Sequence, residues 1–114
     1  MSLKIYHNPR CSKSRQTLQI LEENNAIYEV VEYLKEIPSR EELTSILSEL
    51  NIKAENLIRK GESIYKENFK GKDLTNEEWI SAMIAHPKLI ERPIVSNGKT
   101  AVIGRPPEKV LELI

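Results

Sequence analysis

LKIYHNPRCSKSR, residues 3–15, decides the fold, because a short alternating strand passes there into a helix. Leu3–Tyr6 alternates as a half-buried strand does, and the stretch Thr17–Leu21 places its less polar side chains at helical spacing. Residues 27–33 are rich in β-branched and aromatic side chains, which is typical of a strand. Strand, helix and strand within about thirty residues predict a βαβ unit with parallel strands and a right-handed crossover.

A helical insert is predicted after the second strand, over residues 39–86. Its apolar residues recur at helical spacing. Two capping boxes, Ser39 with Glu42 and Thr75 with Glu78, are expected to begin two of its helices.

The last part of the chain predicts a second sheet unit. Residues 93–103 predict two strands around Asn97-Gly98, a dipeptide that strongly favours a β-hairpin. A last helix is predicted after Pro106-Pro107, since proline is favoured in the first turn of a helix. Its inward face is expected to consist of Val110, Leu111 and Ile114.

The predicted class is α/β, a βαβ unit followed by the helical insert and a ββα unit. This order resembles the thioredoxin-like plan, a mixed four-stranded sheet with flanking helices. In that fold the proline that opens the third strand, here Pro93, usually follows a cis peptide bond.

Composition and charge limit the functions open to the chain. By its length of 114 residues we expect 1–114 to form a single domain. Lys+Arg and Asp+Glu number 17 each, and this balance disfavours bulk attraction to nucleic acid or to an anionic membrane. One cysteine and two histidines allow no internal disulfide and disfavour a structural zinc site. We expect a cytoplasmic location, because no signal-peptide pattern precedes Leu3 and no apolar run reaches the ~20 residues of a membrane helix. We also expect a monomer without a bound cofactor or metal.

The single cysteine, Cys11, lies where the first strand passes into the first helix. Free backbone N–H groups and the positive end of the helix dipole favour an anion there. Such settings lower a cysteine pKa from ~8.5 into the range ~3.5–7.5, and His7, Arg10, Lys13 and Arg15 add positive charge nearby. A buried small hydrophobe is the alternative role, but the neighbouring residues are of loop and cap type. We therefore predict a reactive, partly exposed thiolate.

Three arginines border turns or element ends: Arg59, Arg92 and Arg105. A guanidinium presents a fixed fork of donors that matches a tetrahedral oxyanion. Singly, each is more commonly a solvated surface residue. The hypothesis of an oxyanion site therefore depends on the fold bringing the three together at Cys11.

The chain resembles the glutaredoxin-coupled arsenate reductase family, small cytoplasmic proteins of thioredoxin fold. The resemblance spans essentially the whole chain and rests on four motifs in order: YHNPRCSKSR (6–15), LIRK (57–60), HPKLIERPIV (86–95) and GRPPE (104–108).

The resemblance implies a role for each site residue. Cys11 would attack arsenate, and the three arginines, Arg59, Arg92 and Arg105, would hold the oxyanion and its intermediates. The histidine matching His7 would help to lower the thiol pKa, and we expect Ser14 and Arg15 to support the thiolate as well.

The electron donor must come from outside the chain, because a single cysteine cannot resolve its own mixed disulfide. This points to glutathione as co-substrate and glutaredoxin as partner. Well-studied reductases of the family carry Gly-Thr where this chain has Ser12-Lys13, which leaves two other functions open. One is a redox-linked regulator that binds RNA polymerase, although such regulators switch through Cys-x-x-Cys and Ser14 occupies the second position here. The other is a glutathione-linked thiol transferase without arsenate activity.

Overall fold

The computed structural model describes residues 2–114. Within this range the strands are β1 (Leu3–Tyr6), β2 (Tyr28–Val31), β3 (Ile94–Ser96) and β4 (Ala101–Ile103), and the α-helices are α1 (Ser12–Glu23), α2 (Arg40–Leu50), α3 (Ser63–Asn68) and α4 (Asn76–Ala85). Short 3₁₀-helices span Ala54–Leu57, Pro87–Leu89 and Pro107–Leu113. Among the described residues, no helix is both long and apolar enough to cross a bilayer.

The strands form one mixed sheet in the order β2-β1-β3-β4. β1 and β2 are parallel and joined by α1, as the βαβ pattern predicts, whereas β3 is antiparallel to both of its neighbours. The predicted thioredoxin-like arrangement is thus confirmed, with the helical insert between β2 and β3. The Arg92-Pro93 bond before β3 is cis, as expected, and so is the Arg105-Pro106 bond after β4, which the sequence did not predict.

Alternate residues of β1 and β3 pack into two different layers of the core. The registered pair Ile5 and Val95 packs with α1 and with the last 3₁₀-helix. The next pair, Tyr6 and Ile94, belongs to the larger cluster that includes the buried faces of α2 and α4. The sheet therefore lies between two layers. The register between β1 and β3 fixes which residues face each layer, and it therefore also fixes the positions of the residues that directly flank these strands.

The two predicted capping boxes have different outcomes. At Thr75 the box is complete, since the Thr75 hydroxyl accepts from Glu78 N–H and the Glu78 carboxylate accepts from Thr75 N–H. At Ser39 only half of it forms. Glu42 N–H donates to the Ser39 hydroxyl at 3.1 Å, but the Glu42 carboxylate accepts from the Tyr6 hydroxyl at 2.7 Å. A buried phenol needs a partner more than a solvent-facing N–H does, which explains the difference.

The last helix buries a different face from the one predicted. Val110 is fully buried, but Leu111 and Ile114 are 48% and 52% exposed, so the prediction was wrong for these two residues. The segment is a 3₁₀-helix, in which residues three apart share a face. Val110 therefore shares its buried face with Pro107 and Leu113, since the α-helical spacing used for the prediction does not apply.

Gly104 holds the end of β4 against α1 and the start of β3. Its N–H donates to the Pro93 carbonyl oxygen at 2.8 Å. A Cβ at this position would lie 2.5 Å from Thr17 Oγ1 and 2.8 Å from Pro93 Cγ. Only glycine permits so close an approach, which also fixes the backbone of the neighbouring Arg105.

We expect Gly104→Ala to lower the free energy of unfolding by about 1–3 kcal/mol, because the added methyl overpacks this contact. Urea denaturation measures the change. Gly61→Ala is the matched control: a Cβ at Gly61 meets nothing within 4 Å, so its effect should stay within about 0.5 kcal/mol. Equal stability of the two variants would contradict the prediction.

Candidate active site

Cys11 is the N-cap residue of α1, at the end of the loop that follows β1. Its N–H donates to the Asn8 carbonyl oxygen at 3.0 Å, and its own carbonyl oxygen accepts from Arg15 N–H at 3.0 Å. The loop therefore passes directly into the helix, and the thiol lies at the positive end of the helix dipole. Cys11 is 9% exposed. It is more enclosed than the partly exposed thiol expected from the sequence.

The surroundings of Cys11 favour its ionised form. Burial by itself raises the pKa of the thiol, but the backbone N–H groups of Ser14 and Lys13 and the Arg92 guanidinium outweigh this effect. The net result is a Cys11 pKa below its ordinary value. Hydrogen bonds and positive charge that act on the anion produce such a shift, even for a buried group.

Arg105 and Arg92 both lie at the thiol. Arg105 Nη2 is 3.5 Å from Cys11 Sγ, and Arg105 Nε donates to the Arg92 carbonyl oxygen at 2.8 Å. The Nε of Arg92 is buried and finds no hydrogen-bond partner within residues 2–114. A buried cationic donor without a protein acceptor is costly unless a ligand accepts from it.

Arg59 joins the other two arginines through a carboxylate. Its Nη1 donates to Glu91 Oε1 at 3.3 Å, and Arg105 Nε lies 3.1 Å from the same oxygen. Like that of Arg92, the Nε of Arg59 is buried without a hydrogen-bond partner in the described chain. The fold thus brings Arg59, Arg92 and Arg105 into one connected cluster at Cys11, although they are far apart in sequence.

His7 and Ser14 form a buried pair beside the loop. The Ser14 hydroxyl accepts from Asn8 N–H at 3.1 Å and lies 2.6 Å from His7 Nδ1. Burial lowers the pKa of His7, opposed by the charge of Glu32 and reinforced by that of Arg15. The imidazole is therefore mainly neutral at pH 7 and adds little positive charge to the site. The Ser14 hydroxyl is hydrogen-bonded to Asn8 N–H and His7, whereas the Ser14 backbone N–H donates to the Cys11 sulfur.

Arg15 has its contact with the loop. Its Nη1 donates to the Pro9 carbonyl oxygen at 2.9 Å on the exposed side of α1. This bond ties the helix to the segment before Cys11. The geometry therefore gives Arg15 a bracing contact in place of the direct support of the thiolate that we expected.

Two residues of the site were missed in the sequence analysis, Glu91 and Tyr33. The position of Glu91 directly before Arg92 in the third motif was a usable clue. A carboxylate next to an anion-binding arginine would repel the anion unless other cationic side chains pair with it. Tyr33 lies two residues after β2 and is almost fully buried. Burial raises its pKa to about 12, against the opposing charge of Arg92. Nothing in its sequence context distinguishes it from a core tyrosine.

A cavity of about 180 Å³ adjoins the site and shares Asn8 and Arg92 with it. Arg10 and Lys88 add two further cations to its lining, against the single carboxylate of Glu62. The excess of positive charge suits an anionic group.

Comparison with known proteins gives consistent matches over the full length. The model of the ArsC family matches residues 6–113. The uncharacterized protein YfgD of Escherichia coli strain K12 is 51% identical, over 98% of this chain and 96% of its own length. A Haemophilus influenzae protein named arsenate reductase is 48% identical over 100% of both chains. The solved structure of an arsenate reductase from Vibrio cholerae superposes with a TM-score of 0.93 and 47% identity, covering 100% of this chain and 98% of that one.

We expect the alkylation rate of Cys11 by iodoacetamide to rise with pH through an inflection below ~8.5, the value of an unperturbed thiol. Only the thiolate reacts, and the site lowers its pKa, so the rate should fall only at pH values below that lowered pKa. The same protein unfolded in urea is the control and should return the ordinary value. An inflection at or above ~8.5 in the folded protein would contradict an activated thiol.

Proposed function

Because the chain belongs to the ArsC family, we propose that it reduces arsenate to arsenite with Cys11 as the nucleophile. The observation that carries the proposal is the placement of one thiol, at a helix N-terminus, within 3.5 Å of the Arg105 guanidinium and beside that of Arg92. The names of the Haemophilus influenzae and Vibrio cholerae relatives support the same substrate.

The first step joins sulfur to arsenic. The Cys11 thiolate attacks the arsenic atom, an S–As bond forms, and one As–O bond breaks so that the oxygen leaves as water after protonation. An anionic substrate and an anionic nucleophile repel each other, so positive charge must offset the repulsion. Arg59, Arg92 and Arg105 supply it. The Nε of Arg92, buried without a hydrogen-bond partner among the described residues, is a donor that the oxyanion can use.

The reducing electrons come from an external thiol. The glutathione thiolate attacks Cys11 sulfur, an S–S bond forms, and the S–As bond breaks with its electron pair remaining on arsenic, which leaves as arsenite. A glutaredoxin thiolate then attacks the glutathione sulfur of the mixed disulfide and releases the Cys11 thiolate. We place this chemistry in the cytoplasm, where the glutathione pool keeps thiols reduced. No resident cofactor or metal is required.

The cavity beside Arg92 supports glutathione as the thiol. Glutathione carries two carboxylates, and Arg10 and Lys88 line the cavity together with Arg92. These cations can hold a carboxylate of the tripeptide while its thiol approaches Cys11.

We expect Cys11→Ser to abolish arsenate-dependent NADPH consumption in an assay coupled through glutathione, glutaredoxin and glutathione reductase. A hydroxyl is a poorer nucleophile and cannot form a mixed disulfide. Arg92→Ala should lower kcat/KM about 10²- to 10³-fold, the usual effect of removing one donor to a developing charge.

Arg40→Ala is the matched control for these substitutions. Arg40 forms a surface ion pair with Glu77, so its loss should leave kcat/KM nearly unchanged. Wild-type turnover that is indistinguishable from that of Cys11→Ser would reject the proposed activity.

The electron pathway predicts a trapped intermediate. After incubation with arsenate and glutathione, mass spectrometry should show Cys11 carrying one glutathione, and added glutaredoxin should remove it. Repeated turnover with thioredoxin alone, without any glutathione adduct, would reject the glutathione pathway and leave arsenate reduction itself intact.

A further inference from the structure

A single carboxylate oxygen before β3, Glu91 Oε1, lies close to groups of three arginines. Arg92 N–H donates to it at 3.1 Å, Arg59 Nη1 donates at 3.3 Å, and Arg105 Nε lies 3.1 Å away in an ion pair. The Glu91 side chain is 26% exposed, so these pairs are partly shielded from water. Ion pairs in such a position are weakened less by solvent than those of the open surface.

The backbone already fixes where Glu91 and the Arg59 segment lie. Glu91 N–H donates to the Leu57 carbonyl oxygen at 2.8 Å, and Arg59 N–H donates to the Leu89 carbonyl oxygen at 2.7 Å. These bonds fix the backbone of both segments, and the Arg92 N–H, which donates to Glu91 Oε1, holds the carboxylate without any arginine side chain. The arginine side chains are long and flexible and depend on an acceptor for their position.

Neighbouring cationic side chains repel each other, and an anion between them offsets this repulsion. Arg59 and Arg105 share one oxygen of Glu91, which offsets their mutual repulsion. The Nε–H of Arg105 donates to the Arg92 carbonyl oxygen at 2.8 Å, and Glu91 Oε1 lies 3.1 Å from the same nitrogen. With its Nε edge engaged in this way, Arg105 has its Nη2 3.5 Å from Cys11 Sγ. The Arg92 carbonyl oxygen and the Glu91 carboxylate therefore act together on the Nε edge and leave the outer nitrogens of Arg105 turned to the sulfur.

We propose that Glu91 is a positioning residue that gathers Arg59 and Arg105 and holds the outer nitrogens of Arg105 toward the Cys11 sulfur and a bound oxyanion. The part that concerns the oxyanion rests on the proposed function, whereas the part that concerns the sulfur does not.

A carboxylate near a thiolate has two opposing effects. Its negative charge disfavours the thiolate, whereas its hold on Arg105 favours it. The other charged groups facing this region are Arg59, Arg92 and Glu62, together with the start of α1. The two effects of Glu91 change the Cys11 pKa in opposite directions. Substitutions that remove the charge but keep the side-chain length, or keep the charge but shorten the side chain, therefore show which effect is larger.

The test measures the Cys11 pKa by iodoacetamide alkylation over a pH series, without arsenate. Glu91→Ala should raise the Cys11 pKa by about one unit, since Arg105 then keeps only its bond to the Arg92 carbonyl oxygen and is held less firmly at the sulfur. Glu91→Gln keeps an oxygen acceptor in place and removes the charge, so the Cys11 pKa in this variant should be unchanged or lower than in the wild type. A carboxylate that only repels the thiolate would instead lower the pKa in both variants, and that result, or no change in either, overturns the proposal.

Two further variants guard against a general loss of structure. Glu91→Asp keeps the charge and shortens the side chain. A positioning role predicts a raised Cys11 pKa in this variant, whereas simple repulsion predicts no rise. Glu62 contacts Arg59, with its Oε2 3.6 Å from Arg59 Nε, and Glu62→Ala should not raise the Cys11 pKa. Were Glu91→Ala not to fold, Glu91→Asp and Glu91→Gln would decide the sign between them.

The role of Glu91 toward a bound oxyanion is tested by whether arsenate, without glutathione, protects Cys11 from alkylation by iodoacetamide. Glu91→Ala should raise the arsenate concentration that halves the alkylation rate about tenfold or more, and Glu91→Gln should leave this concentration nearly unchanged. Equal protection in both variants would overturn this part. Absence of protection in the wild type would count against the proposed function, while the pKa measurements would still decide the role of Glu91 at the sulfur.

Discussion

The rest of the structure depends on how closely the backbone of Gly104 lies against Thr17 and Pro93. The contact joins the end of β4, the start of β3 and the first helix at one place. Arg92 and Arg105 are the chain neighbours of Pro93 and Gly104, so the packing that closes the core also brings their guanidinium groups to the start of α1. The side chains of the site are in this sense a by-product of a steric constraint in the scaffold.

The thiol shows how opposing effects are balanced at this point. Burial favours a neutral sulfur, and the helix N-terminus and the arginines favour an anionic one. The helical insert contributes as well, because the bridge between Ile58 and Ile90 lies directly beside Arg59 and Glu91. The insert is therefore a structural part of the site, since it supplies one arginine and the frame that orients the shared carboxylate.

Much of the fold could be predicted because its patterns are local. The alternation of Leu3–Tyr6, the helical stripe after Cys11 and the Asn97-Gly98 turn all follow from neighbouring residues. The features that escaped prediction depend on contacts between distant segments. The Glu42 carboxylate accepts from the Tyr6 hydroxyl in place of completing its capping box, and the Glu91 carboxylate pairs with the distant Arg59 and Arg105. Sequence periodicity carries no information on such choices, because they are decided only when the elements pack together.

The enclosure of Cys11 has a consequence for oxidative damage. A thiolate is the form that peroxides convert to sulfenic acid and then irreversibly to the higher acids. A chain with one cysteine has no second sulfur to capture the sulfenic acid as an internal disulfide. With 9% of the residue exposed, only a small part of Cys11 is open to oxidants in solvent. This low exposure limits oxidation only in part, because a sulfur that a substrate can reach can also be reached by a small peroxide.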